Sequence, residues 1–180
     1  CLLSNCENIF LATQNTILTR VRVVAKPLRS EAAVKAEDLF HFGIVADDPG
    51  AARDELSELL GYSWGPQVGG PVPVKLPTGD AVVTLECSYS VTTPRIEVVA
   101  SVPGTMWQST SGVHHLGYWS DDVDADCAEL ERQGYSVEAT RAAPGGGLFF
   151  AFARSRTGLL VELVTRAAEP GLSGCWAPQH

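Results

Sequence analysis

The sequence predicts an α+β fold made of two tandem β-α-β-β-β modules, and three observations carry that prediction. Apolar β-rich runs and amphipathic helical runs follow one another in the same order in both halves of the 180-residue chain. The segment HFGIVADDPGAARDEL (41–56), laid on HLGYWSDDVDADCAEL (115–130), matches at His, Gly, both Asp, Ala, Glu and Leu. One deletion later, LGYS aligns with QGYS. Self-similarity of this extent indicates one structural unit duplicated. A strand followed by an Asp cap and an amphipathic helix recurs in many proteins, which accounts for the aspartates and leucines. It does not account for a His and a Gly at one fixed offset in two strands.

The elements follow in order. Residues 1–37 form an N-terminal extension to which the pattern assigns no role. Within the first module, 38–104, DLFHFGIVA reads as a strand and DDPG as a turn and helix start. AARDELSELLGY reads as a helix, with Ala52, Leu56, Leu59 and Leu60 as its apolar positions and Gly61 as its stop. Strand-like runs follow at about 66–76, 81–91 and 95–101. A linker, 105–112, leads to the second module, 113–166. There HHLGYWSDD is a strand, VDADCAELERQGY a helix, and SVEATRAA, GLFFAFARS and GLLVELVTR are strands. Residues 167–180 are a C-terminal tail.

Composition bounds the function. Hydrophobic residues make up 45% of the chain, near the globular norm, and no apolar run approaches the roughly 18–20 residues of a membrane span. A net charge of -8, with no basic stripe interleaved with aromatics, argues against nucleic acid as a partner. Five cysteines in no CxxC pattern suggest neither a zinc ribbon nor a disulfide framework and fit reduced thiols. The first thirty residues lack the cationic start, apolar centre and small-residue cleavage site of a secretory signal, so the expected location is cytoplasmic.

The chemistry is expected on the strands. Alternation puts Phe40, Phe42 and Ile44 on one face of the first strand, suited to packing under the helix, and His41, Gly43 and Val45 on the other. The same rule sets His115 opposite His114 and Leu116. In the closing strand of each module a carboxylate interrupts an apolar run: Glu97 in RIEVVAS and Glu162 in GLLVELV. An ionised Glu in such a strand is costly to bury unless it is paired or bound to a cation. Each module thus offers one His and one Glu. Brought together, they form a nitrogen and oxygen ligand set suited to a divalent Zn, Fe, Mn, Co or Ni ion. His114 is expected to pack or hydrogen-bond beside its neighbour. Trp64, Trp107, Trp119, Phe149, Phe150 and Phe152 are candidates to line a pocket. Trp107, in the connection GTMWQSTSG, is placed in its wall, and PGGG (144–147) is read as a turn over its mouth.

The pair HFGIVADD and HHLGYWSDD, each followed by a helix and three strands, together with the closers RIEVV and LLVEL, resembles the vicinal oxygen chelate superfamily, the glyoxalase/bleomycin-resistance fold. The resemblance covers about residues 38–166. It implies paired modules forming a curved, barrel-like mixed sheet with the helices outside. It also implies a divalent metal held by His41, Glu97, His115 and Glu162, and a metal that chelates adjacent oxygens of a small carbonyl substrate and acts as a Lewis acid. The ligand pattern is similar to that of glyoxalase I and methylmalonyl-CoA epimerase, which implies a lyase or isomerase moving a proton beside a carbonyl. Glu162 and Glu97 are then the candidate bases, with Glu86 a further candidate from a neighbouring strand. Two alternatives remain within the resemblance: an Fe(II) extradiol dioxygenase using His41, His115 and Glu162, and a metal-free drug-binding protein of the bleomycin-resistance type. A homodimer is also implied.

Overall fold

The computed structural model describes residues 34–177, so most of the N-terminal extension and the last three residues lie outside the described residues. The chain lays down β1 (Leu39–Ala46), α1 (Pro49–Leu60), β2 (Val68–Leu76), β3 (Gly79–Tyr89) and β4 (Ile96–Ala100). The same order then recurs as β5 (His115–Ser120), α2 (Val123–Arg132), β6 (Ser136–Ala142), β7 (Leu148–Arg154) and β8 (Leu160–Thr165). A short helix, α3 (Glu169–Leu172), follows.

The eight strands close into a barrel in the order β1-β4-β3-β2-β6-β7-β8-β5. Within each module the first and last strands run parallel, β1 with β4 and β5 with β8. The modules meet at two seams of unequal strength. β1 and β5 pair antiparallel along Leu39↔Tyr118, His41↔Gly117, Phe42↔Leu116 and Gly43↔His115, whereas β2 and β6 share one pair, Lys75↔Thr140.

Local chemistry sets the helix starts. In each DD pair the second Asp is the cap: Asp48 accepts from the Ala51 N–H at 3.0 Å, and Asp122 from the Ala125 N–H at 3.0 Å. Gly61 ends α1 at φ 74°, a left-handed conformation that glycine adopts without strain.

The core fills the barrel interior, with Val45, Val99, Trp107, Trp119, Phe152 and Leu160 among its buried members. A second cluster lies between α2 and the sheet, built on Val123, Cys127, Ala151, Val161 and Leu163. α1 differs from the sequence expectation. It buries no residue, and Leu59 and Leu60 are 72% and 66% exposed. Phe40 also departs from its expected face. The β1–β5 register breaks between Leu39 and His41, and Phe40 packs with the barrel interior, stacked on Trp119 at 3.8 Å. No helix among the described residues is long and apolar enough to cross a membrane.

Candidate metal centre

The recurring His-x-Gly has a geometric cause. Partners in register on adjacent strands point to the same face, and here two rows cross the sheet. One runs Glu97, Gly43, His115 over β4, β1 and β5; the other runs His41, Gly117, Glu162 over β1, β5 and β8. Each glycine separates an imidazole from a carboxylate. A Cβ added at Gly43 would stand 1.9 Å from His115 Cε1, and one at Gly117 would stand 1.9 Å from His41 Cε1. Each module's glycine therefore makes the space that the other module's histidine ring occupies.

With that space open, the four side chains converge. His41 Nε2 and His115 Nε2 are 2.9 Å apart. His41 Nε2 lies 3.2 Å from Glu162 Oε2 and 3.4 Å from Glu97 Oε2, and His115 Nε2 lies 3.2 Å from Glu97 Oε2 and 3.5 Å from Glu162 Oε2. All four residues are buried, and one ligand atom from each lies within 4.8 Å of the others.

Burial by itself lowers an imidazole pKa, but hydrogen bonds to Glu162 and Glu97 outweigh it, raising His41 and taking His115 to about 9. Burial pushes the carboxylates the other way. The two imidazoles overcome that push, holding Glu97 well below the usual carboxylate range and lowering Glu162.

The donor set fits a divalent ion. Neighbouring ligands at about 2.0–2.2 Å from one ion stand roughly 3.0–3.5 Å apart, close to the separations found between imidazole and carboxylate. Once the imidazoles give up their protons to act as ligands, the two buried carboxylates carry about two negative charges in a medium of low polarity, which a divalent cation neutralises.

Surrounding hydrogen bonds treat the two histidines differently. His114 Nε2 is 2.7 Å from the Met106 carbonyl, which only accepts, so Nε2 carries the proton. Burial holds the His114 pKa down, and the neutral ring turns its Nδ1 lone pair to His115 Nδ1 at 3.0 Å. His115 Nδ1–H therefore donates, which makes Nε2 the atom that faces the centre and the one that ligates once its proton is lost. Among the described residues, the buried His41 Nδ1 has no hydrogen-bond partner.

Above the cluster lies a cavity of about 180 Å³ whose lining includes Glu97, Glu162, Cys87, Tyr89, Trp107 and Phe152. Trp107, Phe149, Phe150 and Phe152 line it as anticipated. Trp64 does not. Its indole N–H reaches Arg53 O and Ser57 Oγ on α1, and Trp119 instead stacks on Phe40. The PGGG turn is tied to α2 through the Leu148 N–H and Asp124 Oδ2 at 2.9 Å, and its residues are absent from the cavity wall.

Glu86 is not brought to the cluster. It is exposed on the outward face of β3, where Gln67 Nε2 donates to its Oε2 at 3.0 Å. Strand alternation gives the inward positions to Cys87 and Tyr89. Sequence reasoning missed both, as well as Arg141 on β6. The available signal was the two-residue period counted back from Tyr89, which pairs with Glu97. Tyr89 meets the His41 ring edge-on at 5.6 Å.

Solved structures share this architecture. Methylmalonyl-CoA epimerase from Mycobacterium tuberculosis superposes with a TM-score of 0.52 at 18% identity, covering 81% of this chain and 97% of its own. A Streptomyces coelicolor methylmalonyl-CoA epimerase variant in complex with 2-nitronate-propionyl-CoA gives 0.50 at 21% identity, covering 73% and 98%. A methylmalonyl-CoA epimerase in complex with methylmalonyl-CoA and NH4+ gives 0.50 at 21% identity, covering 73% and 95%. No curated protein sequence matches the chain. These likenesses establish the fold, and a family sequence model aligned to residues 40–152 spans more than half of the chain, from the first strand into β7. The chain therefore belongs to the glyoxalase/bleomycin resistance protein/dioxygenase superfamily.

Proposed function

We propose that the protein is a divalent-metal-dependent isomerase or lyase of the epimerase or glyoxalase type, which moves a proton on the carbon beside a carbonyl of a small substrate. The observation that carries the reading is the convergence of His41, Glu97, His115 and Glu162 at the base of a cavity with aromatic walls. Two of the solved relatives are epimerases complexed with acyl-CoA compounds, which favours an acyl thioester over other carbonyl substrates.

His41, His115, Glu97 and Glu162 would hold the ion, which when bound supplies Lewis-acid polarisation of the substrate carbonyl. The remaining work falls to the chain. Glu97 and Glu162 are held ionised, so each is in the form that can act as a base toward the substrate carbon when it leaves the ion. They come from different modules, so one carboxylate removes a proton and the other returns one to the carbon. Trp107, Phe150 and Phe152 line the cavity and keep bulk water off the reacting carbon, so protons reach and leave it by way of the carboxylates.

The test combines elemental analysis with solvent-deuterium exchange. Stoichiometric divalent metal in the native protein, lost in His115→Ala and Glu162→Ala, together with deuterium incorporation into an α-acidic thioester or hemithioacetal, is the expected result. A native protein without metal that binds apolar ligands tightly would replace this reading with sequestration, and oxygen uptake with catechols would replace it with dioxygenation. The homodimer is a separate proposal, read by sedimentation.

A further inference from the structure

Arg141 stands on the inward face of β6, two residues beyond Ala139, which is fully buried in the barrel core. It lines the cavity that holds Glu97 and Glu162. It also lines a groove of about 760 Å³ that follows the weak β2–β6 seam past Lys75. One cation therefore borders both the interior space and the channel outside it.

An arginine turned toward a barrel interior ordinarily has a carboxylate partner. On the neighbouring strand β7, Arg154 pairs in this way with Glu138. Among the described residues Arg141 has no ion pair. Its guanidinium rests over the Phe149 ring at 4.8 Å. The two carboxylates of the cavity are engaged by His41 and His115. A guanidinium stacked on a ring keeps its N–H edge available for a planar anion.

We infer that Arg141 is a specificity residue that binds an anionic oxygen group, carboxylate or phosphate, borne by the substrate away from the two oxygens facing the His and Glu cluster. The inference deepens the proposed function and rests on it for the position of the reacting end. An anion held at Arg141 fixes the substrate at two points. It thereby decides which face of the reacting carbon is turned to Glu97 and which to Glu162.

Calorimetric titration of the metal-loaded protein tests this, using α-keto acids that share one chelating head. α-Ketoglutarate and α-ketoadipate end in a carboxylate, a matching α-keto acid ends in a phosphonate, and α-ketovalerate and α-ketocaproate end in methyl. The wild type should bind one anionic tail about tenfold or more tighter than its neutral counterpart, and the better of the carboxylate and phosphonate arms names the group. Arg141→Gln should abolish the preference and leave the neutral ligands unchanged, and Arg141→Lys should keep part of it. No preference in the wild type, or one that survives Arg141→Gln, overturns the inference. Metal analysis of the same samples separates the two proposals. A protein that takes up no metal but selects anionic tails through Arg141 overturns the metal reading alone. A metal-loaded protein indifferent to the tail overturns this one alone.

Discussion

The two halves of the candidate centre contribute the same side chains through different surroundings. His41 and His115 have equivalent places on β1 and β5, as do Glu97 and Glu162 on β4 and β8. Yet His115 is fixed by a chain running through His114 to the Met106 carbonyl, while the buried Nδ1 of His41 has no partner among the described residues. The helices outside differ as well: α2 buries Val123 and Cys127, whereas α1 buries nothing. The two modules agree where the cluster requires it and differ in their supports, because convergence of four side chains depends on strand register while an outer helix can pack in many ways.

The comparison breaks most sharply at the glycines. Gly43→Ala and Gly117→Ala should each displace the opposing imidazole, abolish stoichiometric metal binding and cost about 1–3 kcal/mol through overpacking. Elemental analysis and chemical denaturation measure both effects. Similar losses from the two substitutions would show that the reciprocal packing is symmetric. A benign Gly43→Ala would show that only His41 depends on the vacated space.

Next in size is the unequal support of the two histidines. His114→Ala frees the His115 tautomer and should weaken metal binding roughly 10- to 100-fold, measured by competition with a chromogenic chelator. His114→Gln, whose side chain still hydrogen-bonds, should lose less. Equal binding in wild type and His114→Ala would mean that the second half is no better supported than the first.

Titration gives a smaller, graded effect. His41 and His115 have pKa values raised above the ordinary 6.5, so in metal-free protein their pairing with the carboxylates is complete below about pH 6.5 and is lost as pH rises through about 9 at His115. Glu97 and Glu162 are depressed, so their contribution is present above about pH 4.5 and is lost as pH falls below it. The Tm of the metal-free protein should therefore decline from about pH 7 toward 10. Metal affinity should move oppositely, rising by up to about tenfold per pH unit until His115 is deprotonated, because only a neutral imidazole ligates. A chelator-competition series across this range measures both the slope and its end.

The outer helices give the smallest contrast. Cys127→Ser places a hydroxyl in the apolar layer beneath α2 and should cost about 1–3 kcal/mol. Leu60→Ser on α1 should stay within about 0.5 kcal/mol, since that side chain is already 66% exposed. Denaturation midpoints compare the two. A large loss from Leu60→Ser would mean that the α1 surface is covered in solution.

Much of this molecule was legible as a string of residues. The repeat announced the two modules, the period of two placed His41 with Gly43 and His115 with Gly117, and carboxylates inside apolar strands marked Glu97 and Glu162. Those features are local, fixed by the alternation of a strand and the cost of burying charge. Other features were not legible. Leu59 and Leu60 have helical spacing suited to burial, but α1 leaves both in solvent. Glu86 and Cys87 are neighbours in one strand, and only the pairing of Tyr89 with Glu97 shows which side of that strand looks inward.

The sequence alone determined the order of elements, the caps and the identity of the four converging side chains, because each of these follows from interactions within a few residues or within one strand. Only the tertiary structure decided why His travels with Gly, which atoms fix the His115 tautomer, and that Arg141 borders both cavity and groove. These depend on registers between strands distant in the chain, and a register is set by closure of the whole barrel.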